Sequence, residues 1–252
     1  MNGRLFIVGL GPGDPLMQTP QASAALAGAT DLVGYGPYLD RVPLRCDLVR
    51  HASDNREELG RARHALELAL SGRQVAVVSS GDSGVFAMAS AMFEAIEHGP
   101  PEWRGIEVEV VPGISAMFAV AARIGAPLGH DFCAISLSDN LKPWDIVLQR
   151  LAAAAGAGFV MALYNPISRA RPWQLGAAFT LLRELLPGTT PVVFATAASR
   201  TEETIDIVTL AEADPARADM RTLVLIGSAA TRRIERGSAP PWIYTPRRVD
   251  TA

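Results

Sequence analysis

Three short loops rich in glycine, serine and aspartate carry the residues best suited to chemistry. They are residues 9–14 (GLGPGD), 80–84 (SGDSG) and 112–116 (PGISA). The G-x-G-x-G spacing of the first loop differs from the G-x-G-x-x-G of dinucleotide-binding proteins. Pro12 lacks the backbone N–H that a phosphate cradle uses. These loops therefore predict close backbone approach to an organic ligand without phosphate, and the alternative is that they are ordinary tight turns.

Asp82 and Ser115 are the polar side chains of the second and third loops. A carboxylate at Asp82 would accept hydrogen bonds from ribose hydroxyls or an ammonium group. The alternative for both residues is to cap the helix that follows, which Asp and Ser do well. A ligand-binding role is favoured because several such loops follow separate strands and could share one edge of the sheet.

Basic side chains near the predicted strand ends suggest a second ligand with several carboxylates. Guanidinium and ammonium groups beside an aromatic ring suit a flat polycarboxylate. Taken one at a time, a solvated surface charge is the preferred interpretation for each of them. The candidates are Lys142 (beside Trp144), Arg169, Arg171 and Arg200.

The loops alternate with apolar runs and helical patterns, which predicts a mostly parallel sheet with its functional loops on one edge. The predicted strands of the first half are 5–8, 31–35, 74–79 and 106–111, with helices over 20–28, 57–70 and 85–98. The second half has predicted strands over 132–137, 159–164, 191–195, 204–210 and 222–227, with helices over 143–155 and 172–186. Residues 125–129 (GAPLG) are the predicted linker, so we expect domains over 1–124 and 125–252, with a partly ordered tail after Gly237.

Composition excludes several classes of protein. Of the 252 residues, 49% are hydrophobic and 19% are charged, which is too apolar for a disordered chain. A formal net charge of −3 lacks the basic excess of a nucleic-acid binder. No segment approaches the ~20 apolar residues that span a bilayer.

The N-terminus has no charged-then-apolar leader, so we expect a cytoplasmic protein. The two cysteines and four histidines form no metal-ligand spacing, so we expect no metal site.

Taken together, these motifs resemble the tetrapyrrole methylases, the class III S-adenosylmethionine-dependent methyltransferases of corrin and sirohaem synthesis. The resemblance covers roughly residues 4–228. It rests on VGLGPGD, SSGDSGVFAMAS, VVPGISA, ALYNP and TLVLIG, in the family's order. GYGPYL, SLSDNLKPW and LYNPISRAR are most similar to the branch that methylates C17 of precorrin-3B.

The resemblance implies a fold, a cofactor and an assembly. It implies two α/β domains, the first with a mostly parallel sheet and the second with a mixed sheet, with S-adenosyl-L-methionine in the trough between them. It also implies a homodimer and S-adenosyl-L-homocysteine as product. The implied cofactor residues are Pro12, Gly81, Asp82, Ser83, Val85, Ser115, Ala116, Tyr164, Ala197 and Thr222.

The activity implied by the resemblance is methylation of C17 of precorrin-3B, with ring contraction to precorrin-4. Lys142, Arg169, Arg171 and Arg200 would hold substrate carboxylates. Ring contraction requires proton transfer, for which the candidates are Tyr35, His51, Ser136 and Asp139. Relatives acting on uroporphyrinogen often carry Tyr-Asp where this chain has Tyr35-Gly36, which argues against that substrate.

Three alternatives remain from the sequence. The first is the sister C17 methylation of a cobalt-containing substrate, cobalt-precorrin-3, in the oxygen-independent route. The second is methylation at another ring carbon. The third, from a different class, is a nucleotide-binding α/β module without catalysis, which would not need both SGDSG and PGISA.

Overall fold

The computed structural model describes residues 3–54, 57–168 and 170–248. The chain divides into two compact units, Met1–Ser115 and Ala116–Ala252. No helix in the described part of the chain is both long enough and apolar enough to cross a membrane.

The first unit is a five-stranded, all-parallel sheet with helices on both faces. Its strand order is β3-β2-β4-β1-β5. The elements are β1 (Arg4–Gly9), α1 (Pro20–Gly28), β2 (Asp31–Tyr35), α2 (Gly36–Leu39), β3 (Val49–Ser53), α3 (Glu58–Leu70), β4 (Gln74–Ser79), α4 (Met88–His98) and β5 (Glu107–Val111).

Both faces of the first sheet are buried, as expected for parallel strands that read as continuous apolar runs. Leu5 and Val77 pack with Leu66 of α3 and Met92 of α4. On the other face, the residues packed against α1 and α2 include Val8, Leu32 and Val78. The side chains at the centres of β1 and β4 are almost fully buried, so the pairing register of these strands is strongly determined. This register sets the positions of the loops that follow them.

The second unit contains a mixed sheet with strand order β10-β9-β11-β8-β7 and a small sheet with order β12-β13-β6. Its elements are α5 (Ala116–Ile124), β6 (Gly125–Ala126), β7 (Phe132–Ser136), α6 (Trp144–Gly156), β8 (Val160–Tyr164), α7 (Gln174–Leu185), β9 (Pro191–Thr196), β10 (Thr204–Thr209), β11 (Thr222–Ile226), β12 (Arg232–Arg236) and β13 (Ala239–Tyr244). Strands β7 and β8 are parallel, whereas β11 runs antiparallel to both β8 and β9.

The packing of α5 bears on where the chain divides. Met117 and Val120 on this helix belong to the same apolar cluster as Leu223 of β11 and Ile243 of β13. Strand β6, at the predicted linker, pairs with β13 and so is part of a sheet. The boundary predicted after residue 124 stays a prediction, and the packing of α5 favours an earlier position.

The structure differs from the local predictions at two places. The helix predicted from Val85 begins at Met88, because Phe86 has a left-handed φ of 51° and Ala87 is extended. Strand β3 was not predicted, since VRHAS lacks an apolar run. In the tail after Gly237, which was expected to be partly ordered, Ala239–Tyr244 forms strand β13 in a hairpin with β12, and residues 249–252 lie outside the described residues. Gly237 makes that turn possible with a φ of +65°.

Candidate active site

The three predicted loops meet at the carboxyl edge of the first sheet. They follow β1, β4 and β5, which are neighbours in the order β4-β1-β5. Gly11 and Gly81 exchange backbone hydrogen bonds of 3.0 and 2.8 Å. A Cβ on Gly113 would lie 2.2 Å from the carbonyl oxygen of Gly81, and one on Gly9 would lie 2.7 Å from the Gly113 nitrogen. The backbones of three loops are therefore packed against one another, and a side chain at Gly9 or Gly113 would not fit.

Asp82 ties two of these loops together. Its Oδ1 accepts a hydrogen bond from the Gly84 N–H (2.8 Å) and its Oδ2 accepts one from the Gly113 N–H (2.9 Å). Since α4 begins only at Met88, Asp82 does not occupy its N-cap position. A carboxylate has about four acceptor positions. Two of them are used here, which leaves acceptor capacity for hydroxyl or ammonium groups of a ligand.

The other predicted cofactor residues of the first unit differ in exposure. Ser83 is fully buried and its hydroxyl donates to the Val111 carbonyl at 3.3 Å, so it braces the loops. Pro12 is buried and Val85 is half-buried. Ser115 is buried directly before α5.

Arg41 is a site residue that sequence reasoning missed. Its Nη2 donates to the carbonyls of Leu10 (2.9 Å) and Gly11 (3.0 Å), and its Nη1 donates to the Ser80 hydroxyl (3.1 Å). Arg41 thus holds the first two loops at their carbonyl side. No sequence motif links it to them, because the contact depends on the packing of the segment after α2.

The predicted cofactor residues of the second unit lie at one edge of its mixed sheet. Thr222 opens β11 opposite Thr196, the last residue of β9, and their hydroxyl oxygens are 2.7 Å apart. Ala197 follows with a left-handed φ of 52°. The Tyr164 hydroxyl, at the end of β8, accepts a hydrogen bond from the Met117 N–H at 3.2 Å. That bond fixes the start of α5, where Ala116 lies.

A polar cluster follows β7 and β8 at the same edge. Ser136 and Tyr164 are paired at the ends of the two strands. Lys142 Nζ donates to the Ser136 carbonyl at 2.7 Å, and burial together with the charge of Arg150 lowers the pKa of this lysine. Arg171 forms an ion pair of 3.0 Å with Asp139. The cluster thus brings together four of the predicted residues: Ser136, Asp139, Lys142 and Arg171.

The remaining predicted residues are not part of this polar cluster. Arg200 is exposed beyond Ala197. Arg169 lies outside the described residues. Tyr35 is half-buried at the end of β2, with its ring edge-on to that of Tyr38.

His51 lies in a hydrogen-bonded chain that argues against its role as a base. Its Nε2 is 2.9 Å from Asp31 Oδ1, and its Nδ1 is 3.0 Å from His64 Nε2. The ionised Asp31 can only accept, so His51 donates from Nε2, and its Nδ1 shares a hydrogen bond with His64. Both ring nitrogens are therefore occupied. Burial raises the pKa of Asp31, but hydrogen bonds from Arg73, Thr30 and His51 outweigh it and lower the value to about 2.

Comparison with known proteins identifies the family. The family model of the tetrapyrrole (corrin/porphyrin) methylases matches residues 4–214. The chain belongs to this family. It is 60% identical over 247 residues to a precorrin-3B C(17)-methyltransferase of Sinorhizobium sp, covering 98% of this chain and 97% of that protein.

Two further relatives bear on fold and activity. The crystal structure of the methyltransferase CobJ superposes with a TM-score of 0.92 at 54% identity, covering 97% of this chain and 100% of that one. A probable cobalt-factor III C(17)-methyltransferase of Salmonella typhimurium is 38% identical over 235 residues, covering 90% of this chain and 93% of that protein. The α/β fold expected from the sequence is confirmed, and this tetrapyrrole methylase is an enzyme rather than a non-catalytic nucleotide-binding module.

The methylase also has four described non-glycine residues with left-handed backbones: Phe86, Asn165, Ala197 and Ser199. All of them follow strands β4, β8 or β9. Such conformations are costly outside glycine and concentrate at functional sites. Sequence reasoning had no signal for them, because nothing in residue type predicts φ > 0 at Phe or Ala.

Proposed function

We propose that this methylase transfers a methyl group from S-adenosyl-L-methionine to C17 of precorrin-3B, with ring contraction to precorrin-4. The observation that carries the proposal is the 60% identity to the Sinorhizobium enzyme over nearly the full length of both chains. The 38% identity to the Salmonella relative, which is named for a cobalt-containing substrate, supports that route less well.

The residues of the first unit fit a cofactor that has hydroxyls and an ammonium group but no phosphate. The glycine contacts hold the three loops close together, Pro12 removes an N–H, and Asp82 retains acceptor positions. Pro12, Gly81, Asp82, Ser83, Val85 and Ser115 are the proposed cofactor residues of this unit, and Ala116, Tyr164, Ala197 and Thr222 are those proposed in the second unit. When bound, S-adenosyl-L-methionine would supply a methyl group activated by its positively charged sulfur, with the neutral thioether of S-adenosyl-L-homocysteine as the leaving group.

The work of the protein is then to position the reactants and to exclude wrong geometries. Alignment of this kind can supply ~7–11 kcal/mol of a barrier. Lys142, Arg171 and Arg200 would hold carboxylates of the macrocycle, with Arg169 a further candidate. Asp139, Ser136 and Tyr35 remain candidates for proton transfer during contraction. The cytoplasmic location and the homodimer stay predictions.

The decisive experiment is product analysis with defined substrates. The purified protein is incubated with methyl-labelled S-adenosyl-L-methionine and either precorrin-3B or its cobalt-loaded counterpart. We expect one added methyl group and a contracted ring with the metal-free substrate. A methylated product with an uncontracted ring would contradict the C17 assignment, and turnover of only the cobalt substrate would favour the alternative route.

An equilibrium binding measurement tests the cofactor separately. We expect tight binding of S-adenosyl-L-homocysteine and none of NAD, since the first loop lacks a phosphate cradle. The reverse preference would rule out the proposed cofactor.

A further inference from the structure

Asn165, which is absent from the predicted set of site residues, holds an unusual position in the loop after β8. Its backbone is left-handed with a φ of 51°. Asparagine tolerates this region better than most residues. The conformation directs its side-chain amide towards β7, where Nδ2 donates to the Ser136 hydroxyl oxygen at 3.0 Å.

The Ser136 hydroxyl receives a second donor. The backbone N–H of Ser138 donates to the same oxygen at 3.3 Å. A serine hydroxyl has two acceptor lone pairs and one hydrogen. Because both lone pairs accept hydrogen bonds, the hydroxyl hydrogen can point only in the remaining direction around the oxygen. No hydrogen bond donated by this hydroxyl is found among residues 3–54, 57–168 and 170–248, although Ser136 is only 6% exposed.

The surroundings of this hydroxyl favour an oxygen acceptor with negative charge. The Lys142 ammonium lies on the Ser136 carbonyl, 2.7 Å away. The Arg171 guanidinium donates at 3.0 Å to both the Ser138 hydroxyl and Asp139. Cations close to an oriented O–H donor stabilise an electron-rich oxygen there.

We propose that Asn165 is a positioning residue that orients the Ser136 hydroxyl as a hydrogen-bond donor to an oxygen of the tetrapyrrole substrate. The proposal rests on the proposed function. It involves no covalent step at Ser136, whose hydroxyl donates a hydrogen bond to the substrate oxygen. The role of Asn165 is to occupy one lone pair of Ser136 so that the hydrogen cannot turn away.

Two substitutions at Asn165 separate its amide from its backbone. Asn165→Gly keeps the left-handed backbone and deletes the donor. Asn165→Asp keeps the shape but replaces the donor with an acceptor, which would draw the Ser136 hydrogen towards itself. We expect kcat for methyl transfer to fall about tenfold in the first variant and further in the second, in line with the loss or reversal of one hydrogen bond. Asn140→Asp, an exposed residue of the neighbouring loop, controls for the added charge.

A double-mutant cycle tests whether Asn165 acts through Ser136. We expect Ser136→Ala to lower kcat at least as much as Asn165→Gly, and the double variant to lose no more than Ser136→Ala alone. The dissociation constant of S-adenosyl-L-homocysteine should stay within about twofold throughout, which excludes a general loss of structure. Additive losses in the cycle, or wild-type kcat in Asn165→Asp, would overturn the proposal. If the wild-type enzyme itself fails to methylate precorrin-3B, the proposed function fails instead.

Discussion

Replacing Asp82 with asparagine measures what the loop contacts of the first unit contribute. The aspartate accepts two backbone N–H groups, those of Gly84 and Gly113, one on each carboxylate oxygen. Asparagine has one carbonyl oxygen, so its NH₂ would face one of these donors. A hydrogen bond to a charged group contributes about 1.5–3 kcal/mol, and Asp82 is half-buried. We therefore expect a loss of about 2 kcal/mol in the free energy of unfolding, or about 4–8 °C in Tm.

The same substitution also reports on cofactor binding. If the remaining acceptor positions of Asp82 bind the cofactor, the affinity for S-adenosyl-L-homocysteine should fall about 10–100-fold, because 1.4 kcal/mol corresponds to tenfold. Calorimetric titration and thermal unfolding on one preparation separate the two effects. Asp14→Asn is the matched control. Its Oδ1 accepts the Leu16 N–H at 2.8 Å, and asparagine caps such turns as well as aspartate.

Each outcome of this experiment has a distinct meaning. A fall in Tm with affinity within about twofold of wild type would show that Asp82 only braces the loops. A fall in affinity with unchanged Tm would show that the contact to Gly113 contributes nothing to stability. No change in either quantity would refute the reasoning altogether.

Three other substitutions test separate parts of the structure. Gly113→Ala should lower the free energy of unfolding by several kcal/mol, because its Cβ would lie 2.2 Å from the Gly81 oxygen. In the control Gly60→Ala, the new Cβ has nothing within 4 Å, so this variant should be neutral or stabilising. Urea unfolding measures both. Asp31→Asn should lower the free energy of unfolding by about 2 kcal/mol at neutral pH. Because the pKa of Asp31 in the folded state is lowered from 3.8 to about 2, this difference from wild type should shrink as pH falls through that range. A difference independent of pH would contradict the ion pair of 2.7 Å between Asp31 and Arg73. Arg171→Gln should raise KM for the tetrapyrrole about tenfold and leave S-adenosyl-L-homocysteine affinity unchanged, and equal KM values would remove Arg171 from the substrate site.

The predictable part of the fold follows from the burial of parallel strands. β1, β2 and β4 are short apolar runs bounded by glycine or polar residues, so periodicity and turn signals were sufficient. β3 is an edge strand with a half-exposed pattern, and β12 has all five residues exposed. Neither strand has an apolar face that periodicity can detect. Their positions depend on pairing with β2 and β13, which is information from distant parts of the chain.

The predictable part of the candidate site is limited in the same way. Loop residues can be assigned to an edge because the strand before them has a direction. The partners of a side chain cannot be assigned, since Asp82 reaches Gly113 across a neighbouring strand and Arg41 reaches Leu10 from a segment after α2. The sequence therefore left a choice between cap and ligand for Asp82, and the structure adds a third role, as a brace between loops.

Thr222 shows how topology brings a weak candidate into the site. It opens a strand, so the rule that ligands bind at carboxyl ends would exclude it in an all-parallel sheet. In the second unit, β11 runs antiparallel to both β8 and β9, so its first residue lies beside their last residues. Thr222 pairs with Thr196, and the register with β8, continued by two residues, places it opposite Asn165. A mixed sheet thus collects strand starts and strand ends at one edge, and a search of strand ends alone would miss the starts of β10 and β11 there.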